Sequence, residues 1–576
     1  MTSTSRSALR LSLAATAVGA LCATTLFAAA ATAAPAANPS GKSISVTLAG
    51  THATGIFDAS AAEIPAFDAT TDTLFVVNAE SGAVDVLDLG ADGVPVHRDT
   101  LSVAGSRAAD GSTVDEGAVV NSVAVSGGIL AVAVEAEDKV QHGWVLFYAT
   151  NDLAYLGGVR VGSLPDSLAF TPNGAYVVVA NEGEPADDFS SDPEGTISVI
   201  SVPKNRNQFG RLDQSSVRTV DFRAYDEGTP LPDGVRVFGP DVAVPEGHET
   251  VGYTARNLEP EYVTIDATGR TAYISVQEAN AIAVVDIKSA SLTDLWALEL
   301  TDWSVDGKLD ASDRDSGINL RNWPVHGVPM PDGIATYRFR GQDLVVTANE
   351  GDAREWGDFA DVRRAGHKSI TLCEDAFPNA AELKDNANLG RLNIITDLGY
   401  NAEGACYNEL YAFGSRSFSI YTADGERLFD SAGQFEAKIA ELIDAGELPA
   451  EAFNSNHSEG PSFDKRSDDK GVEPEAVAIG AIQGRTYAFI GLERIGGVMI
   501  YDITDPRAAF YVDYVNNRDF SVAYDEDGGD WAAAGDLGAE GLVFVPANQS
   551  PTGEALLVVA NEVSGTTSVF EVTPTR

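Results

Sequence analysis

Asp166-Ser-Leu-Ala-Phe170, the turn Thr171-Pro-Asn-Gly174, Ala175-Tyr-Val-Val-Val-Ala-Asn-Glu182 and, past an acidic loop, Gly195-Thr-Ile-Ser-Val-Ile200 follow one another in this chain. Each apolar run is short, β-branched and bounded by turn residues, which is the grammar of hairpin-linked strands. The same unit returns as Glu261 to Ile265, Arg270 to Glu278 and Asn280 to Ile287. It returns again over residues 475–503 and 540–572, and an abbreviated copy covers 73–89. Weaker copies run from Val119 to Tyr148, from Asp332 to Glu350 (resuming near Leu392-Asn-Ile-Ile395), and from Glu409 through Ser417-Phe-Ser-Ile-Tyr421. Repeated three- or four-stranded units at this scale predict an all-β fold, a β-propeller of seven or eight blades with long loop insertions. A stacked β-solenoid is the structural rival. Ile44-Ser-Val-Thr-Leu48 is the candidate to close the ring against the C-terminal strands.

Outside the repeats, Arg6 and Arg10 precede an apolar run from Leu11 to Ala30 and the small-residue site Ala31-Thr32-Ala33. This predicts a signal peptide over residues 1–33 and a secreted or extracellular product, free or associated with the cell surface. Residues 34–576 then form one propeller domain with insertions near 201–258, 296–329, 352–390 and 431–472. No later stretch is long and apolar enough to span a bilayer. Within the last of those insertions, Phe435, Ile439, Leu442 and Ile443 recur at helical spacing and Gly446 supplies a stop, so a helix is expected from Gln434 to Ala445. Lys and Arg number 38 against 85 Asp and Glu, a net charge of −47. That balance argues against nucleic acid or an anionic membrane as partner and favours divalent cations. Cys373 and Cys406 are the two cysteines beyond the leader. A disulfide between them suits an oxidising compartment and would stabilise by roughly 4 kcal/mol in the chain-entropy model.

If each unit is a blade, equivalent acids fall at one end of the propeller. One set closes the second strand: Glu80, Glu137, Glu182, Glu278, Glu350, Glu493 and Glu562. The other opens the innermost strand: Asp166, Glu261, Asp332, Glu475 and Glu540. Glu184 and Asp352 extend two of these ends in Asn181-Glu-Gly-Glu184 and Asn349-Glu-Gly-Asp352. Carboxylates crowded in this way must be protonated or neutralised. Hard oxygen ligands suit Ca²⁺, at one site or more. The candidate metal ligands are therefore Asp166, Glu182, Glu184, Glu261, Glu278, Asp332, Glu350, Asp352, Glu475 and Glu493. Arg354 and Arg416 are candidates to grip an anion, and His326 to move a proton. No serine-hydrolase elbow, P-loop or dinucleotide fingerprint occurs in the chain.

Several stretches carry a resemblance. They include Leu74-Phe-Val-Val-Asn78, Val179-Ala-Asn-Glu-Gly-Glu184, Thr347-Ala-Asn-Glu-Gly-Asp-Ala-Arg354, Tyr411-Ala-Phe-Gly-Ser-Arg-Ser-Phe-Ser-Ile420 and Gly496-Gly-Val-Met-Ile-Tyr-Asp-Ile503. On these the chain resembles the choice-of-anchor I family of exported propeller-like proteins. That family overlaps in similarity with an atypical group of large bacterial alkaline phosphatases and with a mesenchyme-specific cell-surface glycoprotein of echinoderms. The resemblance implies a secreted or surface protein and adds weight to Ca²⁺ or phosphate chemistry. Two functions follow as expectations. The first is a Ca²⁺-binding propeller acting as a binding or matrix protein, with a glycan or surface protein as partner. The alternative is a Ca²⁺-dependent phosphoesterase acting on a phosphate ester.

Overall fold

The computed structural model describes residues 43–525 and 528–575. The expected signal peptide, residues 1–33, lies outside the described residues. Seven four-stranded antiparallel sheets follow one another along the chain. We number them as blades 1 to 7: residues 65–102, 119–163, 165–220, 260–297, 334–430, 474–515, and 539–574 completed by Ile44–Ala53. The innermost strand of each blade touches that of the next, and the strand of blade 7 touches that of blade 1, so the ring is closed. Closure is sealed by the N-terminal strand Ile44–Ala53, which pairs antiparallel with Thr566–Pro574 and supplies the outer edge of blade 7.

The fold follows from how these strands are buried. Thr73–Asn78 and Ala555–Asn561 are buried along their whole length, and neither alternates between apolar and polar residues. Such strands need cover on both faces, which radial packing provides. Seven apolar clusters supply that cover, each shared by two neighbouring blades. Phe75, Val86, Val132 and Trp144 join blades 1 and 2, and Val145, Phe147, Val177 and Ile200 join 2 and 3. Blades 3 and 4 share Val199 and Ile274, 4 and 5 share Trp296 and Tyr421, and 5 and 6 share Phe418 and Tyr501. Phe489 and Leu557 join 6 and 7, and Val558 and Leu74 bring 7 back to 1. Each fully buried aliphatic or aromatic side chain contributes on the order of 1.5–3 kcal/mol. The stability of every blade therefore depends on its two neighbours.

Blade 5 settles the blade number at seven. Its first two strands, Ile334–Phe339 and Gln342–Asn349, are completed by Ser417–Thr422 and Arg427–Asp430. The segment around Glu409 to Tyr421 is thus no separate blade. Asn393–Ile395 is no blade strand either; it pairs with Val362–Arg364 inside the intervening insertion.

Successive strands alternate in direction. The links between second and third strands therefore open on the same face as the links between blades. Residues 103–118, 182–195, 221–259, 298–333, 350–416, 431–473 and 516–538 all emerge there, and the opposite face carries turns of 15 residues or fewer. Val217–Val220, within the expected insertion at 201–258, is the outer strand of blade 3. Two insertions combine into a small unit of their own. Thr301–Asp302, His326–Val328 and Tyr411–Phe413 form one sheet over a core that includes Trp303, Trp323, Phe377 and Leu389. Cys373 and Cys406 are disulfide-bonded within it. The helix Gln434–Asp444 forms as its periodicity predicts and buries Phe435 and Ile439 against blades 5 and 6.

Deleting residues 43–53 removes the closing strand and exposes the edge of Thr566–Pro574. The expected result is a fall in melting temperature of at least about 10 °C, several times the ~2–4 °C that 1 kcal/mol is worth in a large domain. A smaller change in calorimetry would show that closure does not depend on this strand. Replacing Cys373 and Cys406 with Ser removes at most about 4 kcal/mol. Faster amide hydrogen exchange should then be confined to residues 362–410, with the blade strands unchanged.

Candidate metal centre at the axial mouth

The innermost strands open at the insertion-rich face, and most of them open irregularly. The ladder skips residues between Val120 and Ser122, Pro165 and Leu168, Pro260 and Val263, Pro474 and Val477, and Ala539 and Gly541. A β-bulge turns the skipped side chain out of the alternation of the strand. The first residue skipped in each is Asn121, Asp166, Glu261, Glu475 or Glu540. In the two remaining blades Glu63 precedes Pro65 and Asp332 precedes Ile334. Each blade thus delivers one polar residue to the axis: six carboxylates and one amide. Five of the six acids were expected from the sequence. Glu63 and Asn121 were missed, because Glu63 comes before its proline rather than after it and Asn121 carries an amide in place of the carboxylate.

The ends of the second strands add a second tier. Glu182, Glu278, Glu350, Glu493 and Glu562 are buried or half-buried there. Glu80 and Glu137 are exposed. Ala79 follows Asn78 where Glu182 follows Asn181, so in blade 1 the equivalent position carries no charge.

Cations reach only part of this array. Burial alone would raise the pKa of Glu473, but Arg466 at 2.6 Å, Arg494 at 3.0 Å and Lys470 at 3.1 Å hold it well below the usual carboxylate range. Lys470 also contacts Glu350 and lies 3.8 Å from Asp352. Arg494 lies 3.2 Å from Glu493. Lys139 lies 3.0 Å from Glu184. Among the described residues, no Lys, Arg or His lies within 4.0 Å of a carboxylate oxygen of Asp166, Glu182, Glu261, Glu278, Asp332, Glu475 or Glu540. Burial first, and then mutual repulsion, pushes Asp166, Glu182, Glu261, Glu475 and Glu540 well above the ordinary carboxylate range. Burial raises Asp332 to about 6 and Glu63 to about 8.

Three groups bring their ligand atoms within 4.8 Å of one another: Asp332 with Glu475 and Glu540, Glu350 with Glu473 and Glu493, and His457 with Glu493 and Glu562. The second holds Lys470 and Arg494. In the third, Arg494 can only donate, so His457 Nε2 accepts and Nδ1 carries the proton. That proton faces Glu493 Oε1 at 3.4 Å, and no lone pair is left there for a metal. The first group has no such competitor. Its 4.8 Å limit is about twice a Ca–O bond of ~2.4 Å. Glu475 is 6% exposed, and its Oε2 is buried without a hydrogen-bond partner. The donor set of Asp332, Glu475 and Glu540 fits a hard divalent cation such as Ca²⁺.

The residues read as anion-gripping or proton-moving lie elsewhere. Arg354 is buried against Glu259 and donates to Asn257 Oδ1 at 2.7 Å and to the Phe238 carbonyl at 3.2 Å. Arg416 donates to Glu436 and to the carbonyls of Asp310, Ser467 and Asp469, tying three insertion segments together. His326 sits in the insertion sheet with its ring 5.2 Å from that of Tyr411. None of the three belongs to either axial tier.

A mesenchyme-specific cell surface glycoprotein of Strongylocentrotus purpuratus is 31% identical over 279 residues, 43% of this chain and 35% of that protein. Gigasin-3a of Magallana gigas is 31% identical over 201 residues, 33% of this chain and 66% of that protein. The chain thus spans less than two thirds of either relative. Among solved structures, Kuenenia stuttgartiensis hydrazine synthase overlays with a TM-score of 0.42 at 13% identity, covering 90% of this chain and 99% of that one. The Neurospora crassa Pan2 WD40 domain gives 0.43 at 8% identity, covering 93% and 97%. The profile of the choice-of-anchor I domain matches residues 63–506, from the first axial carboxylate to the turn after the third strand of blade 6. The chain belongs to the choice-of-anchor I domain family.

Proposed function

We propose that this protein works outside the cell, secreted or at its surface, as a Ca²⁺-binding propeller with a binding or matrix role. One observation carries the reading. Asp332, Glu475 and Glu540 converge on the axis within 4.8 Å, and among the described residues no Lys, Arg or His lies within 4.0 Å of their carboxylate oxygens. A bound Ca²⁺ would relieve the repulsion of the tier and satisfy the orphaned Glu475 oxygen. The extracellular part is supported by the printed name of the echinoderm relative, a cell surface glycoprotein. The net charge of −47 suits a calcium-rich exterior. Catalysis lacks comparable support, because Arg354 and Arg416 are engaged in buried ion pairs away from the axis.

Elemental analysis of the purified protein should find at least one Ca²⁺ per chain. Chelation should lower the melting temperature, and saturation at a hundredfold excess over Kd should restore about 2.7 kcal/mol. Glu475→Gln is expected to act with opposite signs in the two states. It removes a ligand and destabilises the Ca²⁺-loaded protein, but it also removes a carboxyl whose charged form burial and the neighbouring acids disfavour, and so leaves the chelated protein at least as stable as the parent. A protein without bound metal, whose melting ignores both Ca²⁺ and chelator, overturns the reading. Hydrolysis of p-nitrophenyl phosphate or its bis ester is expected to be absent at every Ca²⁺ concentration. Ca²⁺-dependent turnover would instead establish the phosphoesterase.

A further inference from the structure

The chain has seven histidines, and four of them meet in pairs: His52 with His97, and His142 with His248. The second pair joins separate segments. His142 opens the third strand of blade 2, His142–Ala149. His248 lies in the link 221–259 between blades 3 and 4. Both line a cavity of about 510 Å³.

The pair has the spacing of two ligands on one metal ion. An imidazole nitrogen binds Zn²⁺ at about 2.0–2.1 Å, which leaves the ring centre roughly 3.2 Å from the ion. Two imidazoles at right angles on one ion, as in a tetragonal Cu²⁺ site, then have centres ~4.5 Å apart. The centres of His142 and His248 are 4.4 Å apart, and their planes are inclined by 65°. His52 and His97 fit less well, with centres 5.7 Å apart, planes within 17° of parallel, and His97 Nε2 3.0 Å from Thr100 Oγ1.

Lone pairs are available at His142 and His248. Among the described residues, no side chain hydrogen-bonds to either ring and no carboxylate oxygen lies within 4.0 Å of one. The backbone carbonyl of Val140 accepts from His248, so one ring nitrogen carries the proton and the other keeps its lone pair. Burial, then the proximity of His248 and Arg160, holds the pKa of His142 at about 4, and burial also lowers that of His248. Both imidazoles are thus neutral at physiological pH, the form that binds metals. Arg160 and Arg223 share the cavity wall with Glu194, Asp221 and Glu249. Arg223 is engaged by Glu194 and, at 2.7 Å, by Glu249, so acids outnumber cations around the pair.

We propose that His142 and His248 bind a divalent transition-metal ion, Cu²⁺ or Zn²⁺, at the wall of this cavity. Two protein nitrogens leave coordination positions for water or an exogenous ligand, and at ~30 Å³ per water the cavity has room for either. The ion would also tie the link 221–259 to blade 2. The site is separate from the axial carboxylates and does not rest on the Ca²⁺ reading.

The test uses untagged protein with Ca²⁺ present throughout, so that oxygen-ligand sites are occupied. Cu²⁺ at submillimolar concentration should be taken up, and its electron paramagnetic resonance spectrum should show splitting by two imidazole nitrogens. Isothermal titration with Zn²⁺ should report the same site. His142→Ala and His248→Ala should each weaken Zn²⁺ binding about tenfold or more and remove the two-nitrogen signature. His97→Ala and Glu475→Gln should leave both readouts unchanged. Melting curves of the metal-free variants establish that each is folded. A spectrum with oxygen ligands only, affinity unchanged in both His142→Ala and His248→Ala, or loss of the signature in His97→Ala would overturn the proposal. Cu²⁺ binding to these histidines without Ca²⁺ uptake at the axis would overturn only the calcium reading, and Ca²⁺ uptake without the two-nitrogen signature would overturn only this one.

Discussion

Circular closure forces like charges together, and much of the structure follows from how that repulsion is met. Seven blades each bring one polar side chain to the axis, and six of the seven are carboxylates. At close range in a half-buried setting this arrangement opposes folding unless protons or cations intervene. The apolar layers between blades supply the opposing free energy. Those layers form a continuous ring, and no blade can withdraw from the axis without losing the cover on two faces.

The insertions answer part of the repulsion from within the chain. All of them emerge on the face where the acids lie. The segment 453–473, between the helix Gln434–Asp444 and blade 6, brings Lys470 and Arg466 to Glu350 and Glu473. Arg494 adds its charge from the end of a blade 6 strand. The result is an array with a neutralised sector near blades 5 and 6 and a sector around Asp166, Glu261, Glu475 and Glu540 whose carboxylates have no Lys, Arg or His within 4.0 Å among the described residues. In the second sector the carboxylates are left for a ligand to meet.

The fold was legible at the level of single units. A strand covered on both faces must be apolar along its length, and a tight turn must carry residues such as Thr171-Pro-Asn-Gly174, so strands and hairpins register locally. Blade 5 was not legible as one unit, because 67 residues separate the end of its second strand at Asn349 from its third strand at Ser417. Most of the acids at the axis were legible from a proline before them, as at Asp166 and Glu475, and Glu540 from its place in the repeat. Glu63 and Asn121 lack that signal, and their role comes only from the blade that carries them.

By itself the sequence determined the strand pattern, the repeat and the acids that end the repeats, since each is a matter of neighbours along the chain. Tertiary structure decided which of those acids keep their charge unanswered. Glu350 meets Lys470 across 120 residues, and Arg354 meets Asn257 across 97. Pairing over such distances is set by where the insertions fold back on the ring, and no local pattern encodes it. Arg354 and Arg416 read as free anion grips in the sequence for the same reason: their partners, brought in by tertiary packing, are invisible until the chain has closed.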